Sequence, residues 1–225
     1  MKNLFLTATL LVFSLCIAQQ GSASKSASTS VKFGLKLGIN FATLSNLDDP
    51  STSVSSRTGI NIGGYLNYKF AKKFAFQQEL LYTSQGAIAN QDSNGTPVKL
   101  TFMFDYFAVP LMLKYYPTKA FNVEFGPQLG FIVSKKLKGE ANGQSFTYDI
   151  DDFFAENNID AKASKFDLGL NFGLGYEFEN GINFSGRYTA GMIKVLKGPA
   201  MVYSNGSEQI IKNSVFSFGM GYTFR

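Results

Sequence analysis

The sequence predicts an all-β fold, an eight-stranded antiparallel up-and-down transmembrane β-barrel, on three observations. Eight runs alternate apolar and polar residues with a period of two, the mark of a strand with one apolar and one polar face. The connections between these runs alternate short and long. The apolar face carries more Phe, Leu and Tyr than the narrow interior of an eight-stranded barrel holds. Composition agrees: 23 Phe, 11 Tyr and 22 Gly, with no Trp and no His, favour pleated surfaces over helices.

The N-terminus reads as a secretory signal. Lys2 supplies the positive end, and "LFLTATLLVFSL" is too short for a comfortable spanning helix. A cut after Ala18 places the small residues Cys16 and Ala18 before it. A cut after Ala23 is the alternative, and acylation of Cys16 is disfavoured by the bulky Leu15. Residues 1–18 are therefore expected as signal peptide, 19–30 as a flexible polar linker and 31–225 as the barrel. The cut after Ala18 removes the single cysteine, and with it any disulfide, thiolate nucleophile or thiol metal site.

The runs follow in order. "VKFGLKLGINF" (31–41) sets Val31, Phe33, Leu35, Leu37, Ile39 and Phe41 against Lys, Gly and Asn. Similar runs cover 58–70, 74–85, 101–116 and 121–133. Pro110 falls on the polar face of the fourth and marks a bulge or a missing ladder bond. "KFDLGLNFGLGYEF" and "INFSGRYTAGM" flank "ENG", a tight-turn signal because Asn-Gly accepts positive φ. "VFSFGMGYTFR" closes the chain.

Tight connections are expected near 71–73, 117–120 and 179–181, and long ones at 45–57, 86–100, 134–165 and 193–213. The tight turns share one end with both termini, the asymmetry of outer-membrane barrels. Phe70, Phe74, Tyr115, Phe121, Phe178 and Phe224 gather at that end as an aromatic girdle. The apolar face is thus expected to meet lipid. A soluble up-and-down barrel in the periplasm explains the alternation and the signal, but not the loop asymmetry, the girdle or the chain end.

On the polar face, Lys36, Glu79, Lys114, Glu124, Asp167, Glu177 and Arg187 are expected to point inward. They form either an ion-pair plug or a pore lining or proton-linked gate; the side-chain filling of small barrels favours the plug. Without His there is no His general base and no Ser–His or Cys–His pair. A non-enzymatic protein without a cofactor is expected.

"YDIDDFF" in the third long connection groups Asp149, Asp151 and Asp152, with Glu156 nearby. It reads as a solvated acidic turn and not a calcium site, because it lacks the Gly and bidentate Glu of an EF-hand. Phe153 and Phe154 either tuck onto the barrel mouth or meet a partner. Lys135, Lys136 and Lys138 either meet lipopolysaccharide phosphates or form a solvated face. The net charge of +5 is modest and its lysines are scattered, which argues against nucleic acid and leaves weak attraction to anionic headgroups.

The ending Gly219-Met220-Gly221-Tyr222-Thr223-Phe224-Arg225 resembles the terminal-strand signal read by the outer-membrane barrel assembly machinery, carried by Gly219, Tyr222 and Phe224. Arg225 beyond the last aromatic departs from that pattern. The chain also resembles the PorT-type family of outer-membrane β-barrel domains common in Bacteroidota, small barrels of the OmpX/OmpA-like kind. The resembling stretches are "FGLKLGINFATL", "FAFQQELLYTSQGA", "FAVPLMLKYYP", "FNVEFGPQLGFIVSKK", "GINFSGRYTAGM" and "FSFGMGYTF". The resemblance implies a barrel of about eight strands in the cell outer membrane, with lipid, lipopolysaccharide and the assembly machinery as partners. The expected function is an envelope protein whose outer loops contact a protein partner or lipopolysaccharide. A small channel for ions or solutes is the alternative. An accessory role in a secretion system, to which the family's founding member is linked, rests on resemblance alone.

Overall fold

The computed structural model describes residues 30–45, 52–93, 96–198 and 210–224. The expected signal peptide, the linker up to residue 29 and Arg225 lie outside the described residues. Ser30, expected in the linker, is already strand.

The described chain forms β1 (Ser30–Ser45), β2 (Thr52–Ala71), β3 (Phe74–Ser93), β4 (Thr96–Tyr115), β5 (Phe121–Ala141), β6 (Gln144–Asp149), α1 (Ile150–Glu156), β7 (Lys162–Ala163), β8 (Phe166–Glu177), β9 (Ile182–Gly191), β10 (Leu196–Lys197) and β11 (Lys212–Thr223). Eight strands close a ring in the order β1, β2, β3, β4, β5, β8, β9, β11, with β11 returning to β1. Every neighbouring pair is antiparallel. Closure removes the exposed sheet edges that an open sheet would present.

Alternation sets the faces and the pairing fixes them. Leu35, Leu37, Ile39 and Phe41 of β1 pair with Tyr222, Met220, Phe218 and Phe216 of β11, and all eight point outward. Leu37 is 52 % exposed and Phe218 56 %, whereas Glu79 is 1 % and Glu124 2 %. This wall is apolar outside and polar inside, the reverse of a water-soluble barrel. A one-residue slip would invert it, so register is strongly specified. Rings link up at the tight-turn end: Phe70 stacks on Phe74 at 6.3 Å, Phe74 meets Tyr115 at 5.2 Å, and Phe33 stacks on Phe224 at 5.5 Å.

At the long-connection end the structure departs from the sequence reading. Residues 86–93 and 96–100, expected as loop, continue β3 and β4 as a paired hairpin. The segment 134–149 continues β5 and returns as β6, and 52–57 already belongs to β2. Polar outward residues such as Lys99, Lys138 and Glu140 hid these extensions, because alternation fades where both faces of a strand leave lipid. Gly86, with φ +140°, sits opposite a register shift between Ser56 and Asn61. That bulge turns Val54 inward against the apolar cap. Pro110 causes no bulge: β3–β4 pairing skips from Gln78–Leu111 to Leu81–Ala108 in unchanged register, so the ladder bond is missing instead.

The interior has two tiers. The lower one, beside the tight turns, is polar. The upper one is an apolar cluster in which Ile150 and Phe154 of α1 pack on Phe104, Leu137, Val195, Leu196 and Ile211. The short β7–β10 pair, Ala163 with Leu196 and Lys162 with Lys197, completes this cap.

Candidate functional site

Five strands deliver charges to the lower lumen. Arg187 of β9 lies at the centre. It donates to Glu79 of β3 through Nη1 at 3.0 Å and Nη2 at 2.8 Å, and through Nε to Glu124 of β5 at 2.8 Å. Lys36 of β1 stands 3.6 Å from Glu79, and Lys114 of β4 stands 3.7 Å from Glu124. Gln77 donates to Glu79 at 2.7 Å and accepts from Lys114 at 3.0 Å. Each carboxylate thus faces two cations, which is what lets full charges persist in a dry interior. Outward Phe, Leu and Val at the intervening positions force these side chains inward.

Two of the expected lumen residues lie at other heights. Glu177 marks the tight-turn mouth: its side chain is 31 % exposed and meets Lys114 at 3.3 Å. It also accepts from the Tyr116 hydroxyl at 2.7 Å. Asp167 is buried but joins no ion pair among the described residues. It accepts from Asn213 Nδ2 at 2.7 Å and from the Leu168 N–H at 2.8 Å, and the same Asn213 amide reaches the Tyr106 hydroxyl at 2.7 Å. Sequence reasoning missed the amide layer between these groups. Asn40 donates to Thr83 at 2.7 Å and accepts from Asn61 at 2.7 Å and Ser217 at 2.9 Å. Its signal was present in the period-two phase of the Asn residues, which place polar groups wherever Gly does not.

Little space is left. A cavity beside Lys36, Asn61, Arg187 and Gly219 has a volume of about 20 Å³. Two others, beside Asp167 and Asn213 and beside Asn122 and Glu177, have about 10 Å³ each. Such volumes hold about one water apiece. Around these cavities the lumen is packed by the described side chains.

The outer crown carries the other expected contact residues. Lys135 points inward and pairs with Asp151 of α1, and Asp151 also accepts from the Ala163 N–H at 2.8 Å. Burial opposes the Asp151 carboxylate, but these two hydrogen bonds outweigh it and hold the carboxyl below its ordinary value. Lys138 pairs with Glu140, which Lys99 also approaches at 3.5 Å. The hydrogen bond from Lys138 is the main reason the Glu140 carboxyl lies below its ordinary range. Lys136 is exposed on the outward face. Phe154 is 6 % exposed inside the cap, so it tucks in and offers no surface. Phe153 stacks on Phe146 at 6.3 Å and lies 6.3 Å from Tyr148. Both of those rings are exposed on β6, which among the described residues pairs only with β5. Asp149 caps α1 by accepting from the Asp151 N–H at 2.9 Å, so the acidic turn is a helix cap. Among the described residues no group of three or more His, Cys, Asp or Glu could hold a metal ion.

At the chain end, Gly219 faces the lumen over Lys36. Tyr222 and Phe224 face outward, 5.2 Å apart, and the Phe224 N–H donates to the Phe33 carbonyl at 2.8 Å.

A closed ring with an apolar exterior and a side-chain-filled polar lumen defines a small transmembrane β-barrel. The family model of the outer membrane protein beta-barrel domain matches residues 17–197, and the chain belongs to that family. It is accordingly a protein of the cell outer membrane. Among solved structures it is similar to Ail, the attachment invasion locus protein of Yersinia pestis, at 14 % identity over 86 % of this chain and 98 % of that one, with a TM-score of 0.46. Neisserial surface protein A is similar at 13 % identity over 87 % of this chain and 99 % of that one, TM-score 0.47. OprG from Pseudomonas aeruginosa is similar at 15 % identity over 90 % and 98 %, TM-score 0.37. A comparison with curated proteins finds no match.

Proposed function

We propose that this protein is a non-enzymatic envelope barrel that acts through its crown, with the long-connection end outside the cell and the tight-turn end in the periplasm. The observation that carries this reading is a lumen closed twice, by the Glu79–Arg187–Glu124 layer and by the apolar cap. The crown, by contrast, leaves Phe146 and Tyr148 exposed beside Phe153, with Lys136 and Lys138 on its outward face. The rings and the lysines lie on opposite faces of the β5–β6 hairpin, Tyr148 pairing with Leu137 and Phe146 with Gly139. An apolar and a cationic face on one projecting hairpin suit a partner that is amphipathic and anionic, and lipopolysaccharide has that chemistry. The PorT-type resemblance, a Bacteroidota source and removal of residues 1–18 belong to the same reading.

The test is binding of refolded protein to lipopolysaccharide, intact and dephosphorylated. Lys136→Glu with Lys138→Glu is expected to weaken binding to the intact form to the level of the dephosphorylated one. If Phe146→Ser with Tyr148→Ser removes binding and the lysine pair does not, the partner is read through the rings. Binding unaffected by either pair, or discrete bilayer conductance from the folded protein, would overturn the crown reading.

A further inference from the structure

Four buried side-chain atoms have no hydrogen-bond partner among the described residues: Asn61 Oδ1, Asn213 Oδ1, and both Nδ2 and Oδ1 of Asn122. Asn122 is 0 % exposed, Asn213 3 % and Asn61 4 %. Folded proteins rarely leave such groups bare, and internal water is the common partner where a polar cavity adjoins them. Each of these asparagines lines a different one of the cavities described above.

The cavities are stacked. The one at Asn122 includes Glu177 at the tight-turn mouth and shares Lys36 and Ser185 with the one at Asn61. That middle cavity shares Gln85, Gln128 and Thr189 with the one at Asn213. Tyr106 lines the last and also belongs to the apolar cap, so the series stops there.

We propose that the lumen binds a file of three ordered waters, at Asn122, Asn61 and Asn213, which fills from the tight-turn end and ends beneath Tyr106. At Asn122 the chemistry selects water over an ion of either sign. Asn122 offers an unpaired donor and an unpaired acceptor on one side chain, which a ligand that both donates and accepts satisfies. A cation in the lower or middle cavity would meet Lys36 and Lys114 or Arg187, and an anion in the lower one would meet Glu124 and Glu177. The cavities hold about one water each. The file hydrates the ion-pair layer from below at Asn122 and from above at Asn61, and ends at the cap without joining the two sides of the membrane.

Oxygen-17 relaxation dispersion of the full-length refolded protein in micelles counts long-lived internal waters. Asn122→Leu, which fills its cavity and breaks no side-chain hydrogen bond, is expected to lower the count by one, as is Asn61→Leu. Asn122→Ser, which keeps a donor and an acceptor, is expected to retain it. Side-chain amide exchange into D₂O is expected to run fastest at Asn122, then Asn61, then Asn213. A count unchanged by both Leu variants, a reversed exchange order, or a sodium-dependent rise in unfolding temperature would overturn the proposal.

Discussion

Arg187 and Glu79 hold each other across the full width of the barrel, with Nη1–Oε2 at 3.0 Å and Nη2–Oε1 at 2.8 Å. Their strands, β9 and β3, are four places apart in the ring in either direction. The pair is therefore a cross-brace between opposite walls. Arg187→Ala leaves Glu79 and Glu124 with only the more distant lysines, and breaking a buried pair of this kind costs about 3–5 kcal/mol. Urea unfolding followed by the gel mobility of boiled and unboiled samples reads the loss. Arg187→Lys is expected to restore only part of it, since one ammonium does not match two carboxylates as a guanidinium fork does. An unchanged midpoint for Arg187→Ala would remove the brace from the account.

Ion flow should require two lesions. The charged layer closes the lower lumen, and α1 closes the upper one through Ile150 and Phe154. Planar bilayers are expected to stay silent for the wild-type protein, for Arg187→Ala alone, and for Ile150→Ser with Phe154→Ser alone. Steps are expected when all three are combined. Steps from the cap variant alone would show that the ion pairs do not block passage.

The cap has an acid-sensitive latch. Asp151 is held below its ordinary value of 3.8 in the folded protein. A lowered carboxyl stabilises the fold above the unfolded value and loses that contribution as pH falls through the folded one. The latch is partly exposed, so its contribution is on the order of 1 kcal/mol or less. Pepsin cleavage at Phe153 or Phe154 should rise up to about fivefold as pH drops from 4 to 2. Asp151→Asn should start high and show a flat profile across that range. Parallel profiles for the two proteins would mean that another group controls the cap.

Glycine substitutions should separate backbone strain from crowding. A Cβ on Gly86 would lie 1.9 Å from the Phe102 carbonyl, at φ +140°. Gly143 has φ +73° with nothing within 4 Å. Gly143→Ala is expected to cost about 1 kcal/mol, and Gly86→Ala more than about 3 kcal/mol because the bulge must move as well. Equal refolding yields would mean that the β2–β3 register shift tolerates a side chain.

The ring of eight strands was legible because a half-lipid, half-lumen wall enforces period two along most of each strand. Leu35, Leu37 and Ile39 could face only one way. Inward charges were legible for the same reason, since phase alone assigns Glu79, Glu124 and Arg187 to one side. Phase does not say at what height a residue sits: Glu177 meets Lys114 at the mouth-side edge of the ion-pair network, and Asp167 lies in a separate tier beside Asn213. The crown was least legible. Above Asp105 the outward face is no longer apolar, and the strand pattern of 86–100 and 134–149 dissolves into polar sequence. α1 escaped because seven residues are too few to show a helical period, and its burial depends on Leu137, Val195 and Ile211 arriving from three other segments.

The long β3–β4 hairpin has a mechanical consequence. Each strand has 20 residues, roughly 65 Å at about 3.4 Å per residue, and a tilt of about 45° leaves roughly 45 Å of height. The apolar band of an outer-membrane barrel takes about 25 Å of that. The crown is then a stiff pedestal, and the Phe146–Tyr148–Phe153 surface, level with Leu100 and Phe102 and so below the hairpin tip, stands on the order of 10 Å clear of the hydrocarbon. A partner docking there would be met at the level of the headgroups, and its distance from the hydrocarbon would be set by hydrogen-bonded strand instead of slack loop.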